Sequence, residues 1–268
     1  MAGSDVIPRD GSGPDGEPDG RWSGPWPDGW SVDHVAETTS TNDDLLHAAR
    51  RDEVPDRGVL AADHQTAGRG RLDRRWDAPA GRNLLVSILF REVPEVASVL
   101  TQTVGLALVH GLESLAGRPL GPRLGLKWPN DVVIGDRKLA GVLAQRCTTT
   151  GAVVVGTGVN VGWAPPGAAS VLDDLDLDVA PAEVLHHLLV AHDALVADAV
   201  GRGAAVIARM TTIGRRVRVL LPAERELVGT ARGVDDVGRL VVETDDGRSH
   251  VLDVGDVVHL RPLERRPG

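Results

Sequence analysis

Lysine, tyrosine, phenylalanine, asparagine and cysteine are all scarce in this 268-residue chain, and each scarcity narrows what the chain can be. Tyrosine is absent and Phe90 is the only phenylalanine, so aromatic packing falls on six tryptophans. The single cysteine, Cys147, cannot close an internal disulfide, and no apolar signal-peptide core opens the chain; both features point to the cytoplasm. Cys147 has no cysteine near it and His186 and His187 are adjacent, diverging on a helix, so metal-ligand spacing is lacking and no metal ligands are assigned. Unbroken apolar runs are short, as in Leu84 to Phe90 with Ser87 inside it, against the roughly 20 residues a spanning helix needs, so a membrane is not expected as a partner. Excess positive charge is missing too. With 29 basic residues against 38 acidic ones, a net charge of −9 and a pI near 5.4, the surface is not built for nonspecific nucleic-acid binding. An anionic ligand must therefore be met by local clusters.

The scarcities also say where to look. Lysine occurs only at Lys127 and Lys138, so 27 of the 29 basic residues are arginine. Asparagine occurs only at Asn42, Asn83, Asn130 and Asn160. An ammonium is a compact point charge and a guanidinium a planar fork, so a lysine kept in an arginine-dominated chain marks chemistry that arginine serves poorly.

Residues 1–30 hold seven glycines and five prolines, with six acids against two arginines, and read as a disordered tail that tucks one of Trp22, Trp26 and Trp30 onto the domain. Residues 31–212 mix helical and strand patterns. Ser40-Thr41 reads as a helix cap followed by Leu45, Leu46, Ala48 and Ala49, and further helices are expected at about 94–116 and 181–200, each opened by a proline. Strands are expected at 58–63, 83–90, 125–128, 131–134, 138–146 and 152–161, with Gly135-Asp136 turning a hairpin. In residues 213–268 the texture becomes short alternating segments at 216–221, 226–232, 239–243, 249–252 and 257–260, which reads as a small antiparallel barrel too short to be stable alone.

Two phosphate-binding signatures fail. Gly156-Thr157-Gly158 begins like a dinucleotide fingerprint, but Val161 takes the third glycine position and Pro165-Pro166 leaves no helix to receive a pyrophosphate. Neither lysine follows a glycine, as a Walker loop requires. What stands is Gly68-Arg69-Gly70-Arg71-Leu72-Asp73-Arg74-Arg75-Trp76, with four arginines and one aspartate on an acidic protein. Glycines let backbone N–H groups approach a ligand while guanidinium forks meet carboxylate or phosphate oxygens, so the segment is an anion cradle made without a helix. Trp76 offers a flat face on which a base could stack. A second cluster, Lys127-Trp128-Pro129-Asn130-Asp131 followed by Arg137-Lys138-Leu139-Ala140-Gly141, sets both lysines across a hairpin, where the two ammonium groups are expected near one site.

Ser40-Thr41-Asn42, the arginine–glycine loop with Arg74 and Trp76, Lys127 to Asp131, Lys138 to Gly141 and Gly158-Val159-Asn160 resemble, in order and spacing, the biotin protein ligase family over about residues 31–262. The sequence departs from the family's pattern in two places. Nothing like an N-terminal helix-turn-helix precedes the catalytic segment, so a DNA-binding repressor role is not expected, and Leu72 stands where some members carry another arginine. The resemblance implies an α+β fold, a mixed sheet with flanking helices and a small C-terminal antiparallel β-barrel.

It also implies an ATP-dependent ligase that joins biotin to one lysine of a biotin carboxyl carrier domain, of an acyl-CoA or pyruvate carboxylase, through biotinyl-5'-AMP, with magnesium arriving on the ATP. Residue by residue it assigns Ser40, Thr41 and Gln65 to the ureido head of biotin, with Gly68 and Gly141 lining the substrate pocket. Arg69 and Arg71 fall over the carboxylate and α-phosphate, and Lys138 bridges the two. Arg71, Arg74, Trp76, Lys127, Asn130, Lys138 and Asn160 fall to the nucleotide. Lys138, Asp131 and Arg69 are the catalytic candidates, Asp131 receiving or orienting the acceptor amine. A lipoate or octanoate ligase of the same fold, or a noncatalytic biotin-binding regulator, is the competing expectation, and a weak homodimer is left open.

Overall fold

The computed structural model describes Trp22 and residues 24–260, apart from 72–73, 94–96, 223 and 254. A seven-stranded sheet runs in the order β1-β2-β3-β7-β6-β5-β4, from β1 (Ser31–Thr38), β2 (Gly58–Gln65), β3 (Leu84–Phe90), β4 (Leu124–Lys127), β5 (Asp131–Ile134), β6 (Arg137–Arg146) and β7 (Val153–Val159). Only β1 and β2 pair in parallel; every other neighbour is antiparallel, so the sheet is mixed.

Helices cover both faces, which is why β3 reads as an unbroken buried run rather than an alternation. On one face lies α1 (Thr41–Arg50), whose Leu45, Leu46 and Ala49 pack on Leu60, Leu89 and Val154. On the other, α2 (Ala97–Ala116) sits under α4 (Pro181–Ala197), and its Val104, Leu108 and Leu112 belong to a core with Val86, Val155 and Leu188. The stretch Ser98–Ala116 has a mean hydropathy of 1.2 and is long and apolar enough to cross a membrane, a length the unbroken runs did not reveal because Thr101, Gln102, Thr103 and His110 interrupt it. Here 67% of it is buried inside the fold, as a core helix is. Two shorter helices, α3 (Val171–Leu175) and α5 (Ala199–Arg209), complete the layer.

The C-terminal segments β8 (Arg216–Leu221), β9 (Arg225–Val234), β10 (Leu240–Glu243), β11 (Ser249–Leu252) and β12 (Asp256–His259) form a five-stranded antiparallel sheet in the order β11-β10-β9-β8-β12. No ladder joins β11 to β12 among the described residues, so the small antiparallel barrel takes the form of an open sheet. It docks through the β9–β10 turn. The carbonyl of Gly238 accepts from the buried Trp128 indole at 3.0 Å and from Gln102 at 2.8 Å, and Ser98 donates to Val237 O at 2.7 Å.

All three N-terminal tryptophans are packed, not one. Trp22 stacks on His34 with ring centroids 4.8 Å apart, and Trp26 lies 6.3 Å from His186. Trp30 is buried edge-on against Phe90 and His192 and donates to Asp193. Averaged over thirty residues, the glycine, proline and acid content hid a four-residue tryptophan spacing with enough apolar area to anchor the segment. Residues 1–21 of the expected tail lie outside the described residues.

Candidate active site

Three local features open a cavity of about 520 Å³ on the α1 side of the sheet. The first is the start of α1, where Ser40 caps the helix with its side chain accepting from Asp43 N. The second is a glycine floor. Gly141 and Gly158 are register partners on β6 and β7, and Gly156 lies two residues before Gly158. A Cβ at 158 would lie 2.5 Å from the Trp76 indole, and one at 156 would lie 2.3 Å from Asn42 Oδ1. The glycines that failed as a dinucleotide loop are thus flat ground on which Trp76 and Asn42 rest. The third is the arginine–glycine loop after β2, which folds back on itself: Trp76 N donates to Gly68 O at 2.9 Å and Gly70 N to Arg74 O at 2.6 Å.

Of the residues singled out in sequence, Ser40, Thr41, Gln65, Arg69, Arg71, Arg74, Trp76, Asn130, Asp131, Lys138, Gly141 and Asn160 line this one cavity. Two do not. Lys127 faces a minor crevice with Thr101, Gln102 and Met210. The hairpin register sets it opposite Asp131 rather than Lys138, and a bulge between Val132 and Val133 displaces Lys138 further, so the two ammonium groups do not share a site. Gly68 is required by the loop's own closure, since a Cβ there would lie 2.5 Å from Trp76 O. Leu72 lies outside the described residues.

At the inner end the groups are neutral, with Ser40, Thr41 and Ser87 buried and Gln65 half-buried. Gln65 Oε1 accepts from Thr41 N at 2.8 Å, and Thr41 Oγ1 lies 2.7 Å from Ser87 Oγ and 3.1 Å from Gln65 Oε1. At the mouth the groups are charged. Lys138 Nζ lies 2.7 Å from Asp131 Oδ1 and 5.5 Å from the centre of the Trp76 ring. Arg71 donates to Asn130 Oδ1 at 3.2 Å and to Gly255 O at 3.1 Å. Burial pushes its guanidinium below the ordinary arginine value, and Asp256 and Asp131 oppose that shift. Arg69 is loosely tied to Asp43 at 3.5 Å, and Arg74 pairs with Asp256. Asn160 is spoken for by the protein, its Nδ2 donating to Ala169 O at 3.0 Å and Lys138 O at 3.4 Å, so it braces the wall behind Lys138.

Sequence reasoning missed Ser87 and Asp256, and gave Asn42 no role. Ser87 announced itself as the one polar residue in a buried apolar run; Asp256 carried no signal, because only the docking of the second sheet brings it to the mouth. Among the described residues no group of three or more His, Cys, Asp or Glu could hold a metal ion. Chemically, the cavity offers hydroxyl and amide hydrogen bonds at its inner end and five cations, Arg69, Arg71, Arg74, Arg75 and Lys138, toward its mouth, suited to an elongated ligand with a neutral polar head and an acidic tail that meets a second anion.

Residues 35–160 match the profile of the biotin/lipoate A/B protein ligase family, and residues 212–260 that of the biotin protein ligase C-terminal domain. The chain is 42% identical over 252 residues to the biotin–[acetyl-CoA-carboxylase] ligase of Mycobacterium tuberculosis, covering 87% of this chain and 91% of that protein. The corresponding ligase of Paracoccus denitrificans is 32% identical over 233 residues, 80% of this chain and 95% of that one. Among solved structures, the biotin protein ligase from Aquifex aeolicus in complex with biotin and ATP is similar with a TM-score of 0.72 and 26% identity, covering 87% of this chain and 99% of that chain.

Proposed function

The chain belongs to the biotin protein ligase family, and from that membership we propose that it uses ATP to join biotin to a lysine of the biotin carboxyl carrier domain of acetyl-CoA carboxylase, through biotinyl-5'-AMP. The observation that carries this reading is the division of the cavity into a neutral hydrogen-bonding end and a cationic mouth. Biotin has a ureido head, an aliphatic chain and a carboxylate, in that order. A lipoate ligase would want an apolar inner end, where Ser40, Thr41 and Gln65 stand instead.

A carboxylate is a poor electrophile, so it must be activated before an amine can attack it. In the first step a carboxylate oxygen attacks the α-phosphorus of ATP, the bond from that phosphorus to the bridging oxygen breaks, and pyrophosphate leaves. Both reactants are anions. Lys138 bridges them, Arg69 and Arg71 neutralise the remaining charge, and the fixed geometry turns an encounter of repelling groups into a reaction between neighbours. Trp76 packs beside the adenine, and Arg74 and Asn130 hold the nucleotide. Magnesium would arrive on the ATP phosphates and would neutralise charge on the departing pyrophosphate; Asp131 and Asp256, the carboxylates nearest the mouth, are already paired with Lys138 and Arg74. In the second step the carrier lysine nitrogen attacks the acyl carbon, the bond to AMP breaks, and Asp131 receives the amine's proton. A reaction that consumes ATP and modifies a carboxylase suits the cytoplasm.

Incubation with ATP, magnesium, biotin and a purified carrier domain tests the reading by intact mass. The carrier gains one biotinyl group, and only when ATP is present; no gain, or a gain with lipoate in preference to biotin, overturns it.

A further inference from the structure

Behind the cavity's inner end a chain of buried neutral groups runs from Thr41 to the backbone of β6. Ser87 Oγ lies 2.7 Å from Thr41 Oγ1 and donates to Asn42 Oδ1 at 2.5 Å. Asn42 Nδ2 in turn donates to Gln145 Oε1 at 2.6 Å and to Leu143 O at 3.5 Å. Ser87 and Thr41 are 0% and 2% exposed, so solvent does not share these bonds. The direction of the chain follows from its two backbone ends. Leu143 O can only accept, so the Asn42 atom facing it is the amide nitrogen, and Oδ1 points at Ser87. Thr41 N can only donate, so Gln65 presents its carbonyl oxygen to Thr41 and turns its NH₂ group away.

A hydroxyl has one proton. Ser87 spends its own on Asn42, so its short contact with Thr41 is a hydrogen bond only if Thr41 is the donor. The Thr41 proton thus has two protein acceptors, Ser87 Oγ at 2.7 Å and, more distant, Gln65 Oε1 at 3.1 Å, and toward either one it points away from the ligand, leaving lone pairs alone for the cavity. We infer that Ser87 and Asn42 are positioning residues that hold the Thr41 hydroxyl as an obligate acceptor, so that the site selects a ligand whose head offers an N–H at that point. Gly156 belongs to the device, because a Cβ there would lie 2.3 Å from Asn42 Oδ1 and displace it. The ureido ring fits the result. Its N–H meets Thr41, while its carbonyl faces the donors left over, the Ser40 hydroxyl and the Gln65 amide. This inference rests on the reading of the cavity as a biotin site.

The test compares biotin with a cyclic carbamate analogue in which one ureido N–H is replaced by a ring oxygen, using kcat/KM for pyrophosphate release. With the wild type, the ring oxygen meets the Thr41 lone pairs, and biotin is preferred by on the order of 10²–10³-fold. In Ser87→Ala the Thr41 proton loses its shorter acceptor and keeps only the 3.1 Å contact to Gln65 Oε1, so it can turn to the ring oxygen and the preference falls about tenfold, largely through activity gained on the analogue relative to biotin. Asn42→Ala frees the Ser87 proton and lowers the preference similarly, which keeps the test open if one variant fails to fold. Ser87→Thr restores the hydroxyl and the preference. An unchanged preference in a folded, active Ser87→Ala or Asn42→Ala protein overturns the inference, because a merely structural role would slow both substrates equally. A wild type inactive on biotin itself would instead sink the function proposed above.

Discussion

The two ends of the cavity solve different problems with different materials. At the inner end Ser40, Thr41, Gln65, Ser87 and Asn42 are uncharged, and each of the last four is tied to another through hydrogen bonds to side chains that strand and helix positions already fix. At the mouth the cations rest on exchangeable partners. Lys138 sits on Asp131, Arg74 on Asp256 and Arg69 on Asp43, with the side chains of Lys138, Arg69 and Arg74 being 41%, 59% and 68% exposed. A neutral head group gains little from charge and much from groups that need no rearrangement. Two anions that repel each other need cations able to leave one carboxylate for another. Preformed recognition inside and transferable charge outside is the pattern the difference teaches.

The sharpest way to break that contrast is to remove the central cation. Lys138→Ala is expected to slow adenylate formation by on the order of 10²–10³-fold, measured as pyrophosphate release, while biotin binding at the inner end changes far less. Lys138→Arg should also be poor, since a planar fork does not replace a point charge. Near-normal release by either variant would remove Lys138 from the chemistry. A smaller effect is expected where the two ends meet. Gly158→Ala puts a Cβ 2.5 Å from the Trp76 indole, and overpacking of that kind costs about 1–3 kcal/mol. Affinity for a nonhydrolysable adenylate mimic should fall about 10–100-fold, and unchanged binding by calorimetry would mean that Trp76 is not part of the floor. Least is expected at the rim. Asp256→Asn removes the carboxylate under an exposed arginine, where such pairs contribute about 0–1 kcal/mol. The KM for ATP should shift by less than about fivefold, and a loss of a hundredfold would show the rim to be rigidly built after all.

What was legible in sequence follows the same division. The mouth announced itself through composition: Arg69, Arg71 and Arg74 between glycines, and a lysine in a chain that otherwise avoids lysine. Of the two rare lysines, Lys138 reaches the cavity and Lys127 does not, the β5–β6 bulge and register deciding between them. The inner end was legible only through resemblance. Ser87 sits in the apolar run Leu-Leu-Val-Ser-Ile-Leu-Phe, and nothing local says that a serine there bonds to residues 45 and 46 positions away. The strand β1 was missed because Ser31–Thr38 is polar and forms an edge, and the reach of Gly255 and Asp256 to the arginines depends on how the second sheet docks. Elements with a strong period or cap, such as α1 behind Ser40 and β3, needed no tertiary information.

The most direct test of the division is a crystal structure with biotin and a nonreactive ATP analogue. The account predicts the ureido ring within hydrogen-bonding distance of Ser40, Thr41 and Gln65, and Lys138 Nζ between the carboxylate and the α-phosphate with Arg69 and Arg71 beside them. A ligand lying the other way round, or guanidinium groups turned out into solvent, would contradict it.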